Sequence, residues 1–309
     1  MSLLEVITAR NLVKDYNGFR AVNGISFSVH RQECFGILGP NGAGKTSTVR
    51  MVFGFSPITA GELNVLGRDV TRHAREIKAR LGIVPQENNL DPDLKVLQNL
   101  LVYASFFNIP EREARERALE QLEFFGLSDK RDAMVDHLSG GMKRRLTIAR
   151  ALINDPEIII LDEPTTGLDP QARHTVWQRL RQLRNRGVTL IMTTHYLEEA
   201  AQLCDRLIIM DHGDILDEGA PSPLVERHVG AEVLEVGQGA AAADTLLKQF
   251  HKQIRGHLVV GDNLTLYPLN GRELLARLQD LPHQFDHYLL RPATLEDVFL
   301  KLTGRGLTE

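Results

Sequence analysis

Gly39-Pro40-Asn41-Gly42-Ala43-Gly44-Lys45-Thr46 fits the pattern G-x-x-x-x-G-K-[S/T] and follows an apolar run, Cys34 to Leu38, that reads as a buried strand. A glycine-rich turn here lets backbone N–H groups close around anionic oxygens, and the helix that starts there adds the positive end of its dipole. Thr48, Val49, Met51 and Val52 give that helix an amphipathic start. The stretch implies an α/β fold that binds a nucleoside triphosphate along residues 39 to 47, from Gly39 to Ser47. Lys45 would reach the β- and γ-phosphates and the Thr46 hydroxyl would serve Mg²⁺.

Ile158-Ile159-Ile160-Leu161 is a continuous apolar run, as expected of a strand buried on both faces of a parallel sheet, and it ends in Asp162-Glu163. Acids at the carboxyl end of such a strand lie beside the phosphate loop in an open α/β sheet. Asp162 suits Mg²⁺ through water, and Glu163 suits a general base for the attacking water. Between the two strands stands Leu138-Ser139-Gly140-Gly141-Met142, after which Leu146, Ala149 and Ile153 keep helical spacing. Ser139 reads as an N-cap, and the two glycines leave free backbone N–H groups open to an anion. The basic triplet Lys143-Arg144-Arg145 reads as a solvated face and is assigned no role.

Composition narrows the class. With 309 residues, 43% hydrophobic and 25% charged, the chain can bury one large core and a small second domain. A net charge of -4 argues against general nucleic-acid binding. No apolar stretch approaches a membrane span and the N-terminus carries no signal pattern, so a cytoplasmic protein is expected. Cys34 and Cys204 lie in apolar contexts without C-x-x-C spacing and are expected to be buried thiols.

Ser139-Gly140-Gly141, together with the order of the motifs around it, resembles the signature of ATP-binding cassette (ABC) ATPases. The resemblance implies a P-loop fold with an inserted helical subdomain, over residues 5–230. It implies that Tyr16 stacks on adenine, that Gln86 links the γ-phosphate and Mg²⁺ to a membrane partner, and that Asp169 crosses a dimer seam. His195 is similar to the histidine that holds the γ-phosphate and the lytic water. In the family the phosphate loop and the signature of one chain face different nucleotides. The resemblance therefore implies a homodimer with two ATP molecules between Lys45-type loops and Ser139-Gly140-Gly141 of the partner copy. Met142 departs from the usual glutamine.

Residues 87–137 read as the helical insertion: Val96, Leu97, Leu100, Leu101 and Ala104 hold helical spacing, and Glu111 to Phe125 gives a second, highly charged helix. The family places a groove for the membrane subunit here, which makes Tyr103, Phe106 and Phe107 candidate contacts, with plain core packing as the expected alternative. Residues 231–309 change character. Strands at Glu232 to Val236, His257 to Val260, Leu264 to Tyr267 and His287 to Arg291, with helices at Ala240 to Phe250 and Glu273 to Leu278, give the order βαββαβ of a small α+β ferredoxin-like domain. Some 60 residues are marginal alone, so docking on the main domain or across the dimer is expected.

Thr294 caps a last helix that Gly304 ends. With this tail, the whole chain resembles the nodulation protein I and daunorubicin-resistance ATPases, whose membrane subunit is a separate ABC-2 type protein. That implies a peripheral protein on the cytoplasmic face of the inner membrane, powering efflux of a lipo-oligosaccharide, glycoconjugate or drug-like compound. A DNA-repair cassette would need a long coiled-coil insertion, a translation factor two motif sets, and a small kinase or GTPase no signature. An importer ATPase shares the motor, but its usual C-terminal barrel does not match the helices expected after Gly239 and Asn270.

Overall fold

The computed structural model describes residues 4–281 and 285–304, which divide into two compact units, one up to residue 217 and one from 218 onward. The first is built on two sheets. Strands β1 (Glu5–Tyr16), β2 (Phe19–His30), β4 (Ala60–Val65) and β5 (Arg68–Asp69) pair in the order β2-β1-β4-β5, all antiparallel. Strands β3 (Cys34–Leu38), β6 (Leu81–Val84), β7 (Ile158–Asp162), β8 (Thr189–Thr194), β9 (Arg206–Asp211) and β10 (Asp214–Gly219) form the second, in the order β10-β9-β3-β8-β7-β6. Its inner pairs are parallel, with Ile160 opposite Ile191 and Ile37 opposite both Thr193 and Ile208.

Every residue of β3, β7 and β8 is buried, which is what continuous apolar runs require of strands covered on both faces. Helices α1 (Lys45–Val52), α2 (Val70–Lys78), α6 (Pro170–Asn185) and α7 (Leu197–Leu203) belong to the same unit. Ile7, Leu12, Val22, Phe35, Val49, Met51, Val65 and Ile160 belong to one apolar cluster that draws on both sheets, and the rings of Phe27 and Phe35 stack at 5.7 Å. Cys34 and Cys204 are free and buried.

The insertion is helical, with α3 (Val96–Ser105) and α4 (Glu111–Phe124) packed on each other and on α5 (Gly140–Ala151). Val96, Leu97, Leu100 and Ala104 bury the α3 stripe, and Ala114, Ala118 and Leu122 that of α4. Of the aromatic trio, Tyr103 and Phe107 are half-buried and in ring contact, but for Phe106 the core-packing expectation needs correction. Phe106 is 74% exposed, because α3 stops at Ser105 and the ring lies beyond the stripe that packs inward.

The second unit holds α8 (Pro221–His228), β11 (Glu232–Val236), α9 (Ala243–Phe250), β12 (Ile254–Val260), β13 (Asn263–Pro268), α10 (Gly271–Gln279), β14 (Tyr288–Pro292) and α11 (Leu295–Thr303). Its sheet runs β12-β13-β11-β14, antiparallel throughout, the strand order of a ferredoxin-like βαββαβ unit. Leu234, Val236, Leu264 and Leu266 face Leu246, Phe250, Leu274 and Leu278 of the two helices in one core. The division falls after Asp217, earlier than residue 230. The reason is α8, which packs on α11 and is tied into its own unit by Lys301 Nζ on the His228 carbonyl and by Arg255 on Glu226.

Candidate functional site

The phosphate loop connects β3 to α1. Gly42 and Gly44 sit at φ of 84° and 99°, a left-handed backbone open to glycine at low cost, and Gly44 directly precedes the helix. A Cβ at Gly44 would come within 2.3 Å of the Ala21 carbonyl, and one at Gly39 within 2.3 Å of the Met210 carbonyl. The loop is thus wedged between the two sheets and borders one concavity. Tyr16, Asn41, Gly42, Gly44, Lys45, Thr46, Ser47, Gln86 and Glu163 line that cavity of about 240 Å³, beside Phe19 and Ala21. Gly39, Pro40 and Ala43, the other residues of the loop, are buried and do not line it. Tyr16 is 40% exposed, its hydroxyl 3.3 Å from Ser56 Oγ and its ring under the Lys14 ammonium.

Lys45 is buried. Its Nζ donates to the carbonyls of Gly39 (2.9 Å) and Pro40 (3.0 Å) and stands 3.5 Å from Glu163 Oε1. Burial pulls its pKa down, against the opposing pull of Glu163 and Asp162. The Thr46 hydroxyl donates to Asp162 Oδ1 (3.1 Å), as does Thr193 Oγ1 (2.5 Å). Thr193 is brought there by the parallel register that sets it opposite Asp162.

Glu163 carries the densest set of contacts. Its φ is 47°, a left-handed conformation for a residue that also precedes proline, which costs on the order of 1–3 kcal/mol. Its N–H donates to the carbonyl (3.2 Å) and hydroxyl (3.0 Å) of Thr193. Oε2 accepts from Gln86 Nε2 and Thr166 Oγ1, both at 3.1 Å, and Oε1 lies 3.1 Å from His195 Nδ1. The approach of His195 Nδ1 to Oε1 is close in distance but falls outside hydrogen-bond geometry. Burial pushes the carboxyl up, but His195, Lys45 and Thr166 together outweigh it and hold it below the ordinary glutamate range.

Ser139 caps α5 through its hydroxyl, which accepts from the Met142 N–H at 3.3 Å. Asp169 likewise caps α6, its Oδ1 accepting from the Ala172 N–H at 2.8 Å. Ser139, Gly140, Gly141 and Asp169 do not line the phosphate-loop cavity of their own chain.

Arg144 and Glu199, two buried charges next to these segments, escaped the sequence reading. Arg144 is 3% exposed and forks onto five backbone carbonyls at residues 85, 86 and 162 to 164. Burial lowers its pKa to about 10, although Glu199, Asp162 and Glu163 oppose this. The detectable signal was helical spacing: Ile148 and Ala151, at i+4 and i+7 from Arg144, mark a second buried face of α5. Glu199 accepts from Thr165 Oγ1 (2.8 Å) and Trp177 Nε1 (2.9 Å), joining the turn after β7 to α6 and α7, and burial raises its pKa.

Away from this site, Tyr103, Phe106 and Phe107 line an open cavity of about 610 Å³ with Arg75, Lys78, Leu81 and Ile83. Tyr103 stacks edge-on to Phe106 and lies under the Arg150 guanidinium. No helix among the described residues is long and apolar enough to cross a membrane.

Comparison with known proteins bears on both units. The family model described as ABC transporter matches residues 22–166, and that of the nodulation factor export protein NodI C-terminal domain matches residues 241–304. A protein of Burkholderia orbicola (strain AU 1054) called Nod factor export ATP-binding protein I is 49% identical over 98% of each chain. Its namesake in Ralstonia nicotianae (strain ATCC BAA-1114 / GMI1000) is 45% identical over 98% of this chain and 95% of its own. Among solved structures, a dimeric post-hydrolysis cassette bound to ADP and phosphate superposes with a TM-score of 0.64 at 28% identity, over 69% of this chain and 98% of that one. The cbiO1 subunit from Clostridium perfringens gives 0.67 at 26% identity, over 80% and 95%. The chain belongs to the ATP-hydrolysing subunits of ABC transporters, in the branch of the Nod factor export ATP-binding proteins.

Proposed function

We propose that the chain is the ATP-driven motor of an exporter whose membrane-spanning ABC-2 type subunit is a separate protein. Two copies close head to tail about a twofold axis. Each ATP then lies between the phosphate loop of one copy and Ser139, Gly140 and Gly141 of the other, with Asp169 at the seam. The observation that carries this reading is the split within one chain: Lys45, Thr46, Gln86 and Glu163 share a cavity that the signature glycines do not line. The dimeric form of a similar cassette bound to ADP and phosphate supports it.

In that site Tyr16 stacks on adenine, residues 39 to 47 cradle the phosphates with backbone N–H groups, and Lys45 turns from its loop carbonyls to the β- and γ-oxygens. Thr46, Asp162 and Gln86 offer hydroxyl, carboxylate and amide oxygens, the hard donor set that suits Mg²⁺, and the Thr46–Asp162 contact already joins two of them. Thr46 and Gln86 would hold the ion directly and Asp162 through water; once bound it neutralises charge on the phosphate oxygens. Glu163 takes the proton of the attacking water, and His195 fixes that water and the γ-phosphate. The contacts of Glu163 with His195, Lys45 and Thr166 outweigh its burial and keep it ionised and ready as a base.

The aromatic cavity at Tyr103, Phe106 and Phe107 receives a helix of the membrane subunit, which holds the protein on the cytoplasmic face of the inner membrane. An exposed phenylalanine beside basic residues fits an amphipathic partner helix. The exported compound is a lipo-oligosaccharide, a related glycoconjugate or a drug-like molecule; the similarity to proteins called Nod factor export ATP-binding protein I supports export as such. The test is co-purification of tagged Glu163→Gln protein from detergent-solubilised membranes with Mg-ATP, followed by mass identification. A multi-spanning protein at about equal stoichiometry is expected. Ribosomes, DNA-bound proteins or nothing from the membrane would overturn the exporter assignment.

A further inference from the structure

Of the basic triplet Lys143-Arg144-Arg145, the fold buries only Arg144. A guanidinium has five N–H donors in one rigid plane. Here Nε donates to the Pro164 carbonyl (2.6 Å), Nη1 to those of Pro85 (2.5 Å) and Gln86 (3.2 Å), and Nη2 to those of Asp162 and Glu163 (both 3.1 Å). Every donor meets a backbone carbonyl, and every carbonyl belongs to one of two segments that carry reacting side chains.

A buried positive charge is held most simply by a carboxylate, yet no ion pair to Arg144 occurs among the described residues. Its N–H donors all go to carbonyl dipoles, and the carboxylates of Glu199, Asp162 and Glu163 act on the charge only from beyond ion-pair contact. What such a fork secures is the place of the backbone it grips. Glu163 needs this, because its left-handed φ of 47° before Pro164 persists only where its surroundings over-determine it. Arg144 holds the carbonyls before, at and after that residue. Its own anchor is α5, where it lies four residues from Gly140, about 6 Å along the axis from the signature glycines.

We propose that Arg144 is a positioning residue for ATP hydrolysis: it ties the helix that begins at the signature glycines to the backbone of Gln86 and Glu163, so that the angle of that helix sets the aim of the amide and the carboxylate. The link to the partner copy's nucleotide rests on the motor reading above. Through it, a signature helix pulled onto the ATP of the other copy completes the hydrolytic site of its own.

The test uses the full chain with Arg144→Lys, which keeps the charge but has three donors, and Arg144→Gln, which has two. Steady-state turnover, ATP affinity by calorimetry and amide hydrogen exchange are read together. Both variants should lose about 10–100-fold in kcat, the scale of a small misplacement of reacting groups, with KM and ATP Kd within about threefold of wild type. Amides at residues 86, 87, 163, 165 and 166 should exchange faster while residues 159 to 161 keep their protection. Wild-type turnover in Arg144→Lys would overturn the proposal. So would faster exchange along the whole of β7, or a loss of ATP affinity parallel to kcat, since either marks plain structural support. Should Arg144→Gln not fold, the lysine variant decides. The motor reading fails on a different result, the absence of an ATP-dependent dimer in Glu163→Gln, which does not involve Arg144.

Discussion

Replacing Glu163 by glutamine keeps the outline of the side chain and removes the proposed base. In the native site one carboxylate oxygen lies 3.1 Å from His195 Nδ1 and 3.5 Å from Lys45 Nζ, and the other accepts from Gln86 and Thr166. An amide oxygen still accepts from the latter pair, so the turn at residues 162 to 166 should survive. Proton acceptance does not. A positioned general base contributes about 10²–10⁴-fold, or about 3–5 kcal/mol of barrier, and kcat should fall by that factor. The same change deletes a negative charge that would face the γ-phosphate and frees Lys45 to pair with phosphate alone, so ATP should bind at least as tightly. Phosphate release, calorimetry and size-exclusion with Mg-ATP read the three consequences: slow turnover, undiminished affinity and a persistent dimer. The pH profile adds a sign. Burial raises the Glu163 carboxyl, but its neighbours outweigh burial, so the acid limb of kcat/KM that this group sets should lie below the ordinary value of 4.5. Turnover within about threefold of wild type would refute the base assignment.

Lys45→Ala would remove a charge-assisted donor to the phosphates and should weaken ATP binding by about 10–100-fold, or about 1.4–2.7 kcal/mol; unchanged calorimetric affinity would contradict it. Phe106→Asp places a charge on the exposed ring of the aromatic cavity and should abolish co-purification of the membrane subunit, so recovery at wild-type yield would remove that cavity from the docking surface. Asp297, 1% exposed, accepts two hydrogen bonds from Arg291 (2.8 and 2.7 Å) and one from the Thr294 N–H (2.8 Å). Burial opposes ionisation there, but these donors win and depress the carboxyl below 3.8. A depressed acid stabilises the fold above its unfolded pKa and loses that stabilisation as pH falls through the folded one. Asp297→Asn should therefore cost about 2–3 kcal/mol in urea unfolding at pH 7, with the gap closing below pH 3.8. A gap that is the same at pH 7 and pH 3 would rule this out.

What could be read from the chain alone was the chemistry whose cause is local. Gly39 to Thr46, Ile158 to Glu163 and Ser139 to Gly141 announce themselves because a turn, a strand end or a helix start is specified within a few residues. The βαββαβ order after residue 231 was legible for the same reason, since period-2 and period-3.6 stretches alternate between turn signals such as Gly261-Asp262. Contacts decided by tertiary register were not. Thr193 serves Asp162 and Glu163 only because β7 and β8 pair in parallel at one register, a fact absent from either segment. The same holds for α8, whose helical start is plain in Pro221 to Pro223 but whose partner, α11, is remote.

Arg144 is the sharpest case, because local evidence pointed the wrong way. Flanked by Lys143 and Arg145 it looks like part of a solvated face, and its acceptors at Pro85 and Gln86 stand 59 and 58 residues away. Carbonyls carry no side-chain signature, so nothing in residues 85, 86 or 162 to 164 advertises that they wait for a guanidinium. Only the buried stripe through Ile148 and Ala151 hinted that the cation turns inward. The side chains proposed for catalysis are thus readable from motif, whereas a group proposed to aim them, such as Arg144, is readable only once the sheet has set which strand ends stand together. Sites that hydrolyse ATP through a few well-placed groups depend on both kinds of residue, and a substitution at the second kind should show in kcat before it shows in affinity.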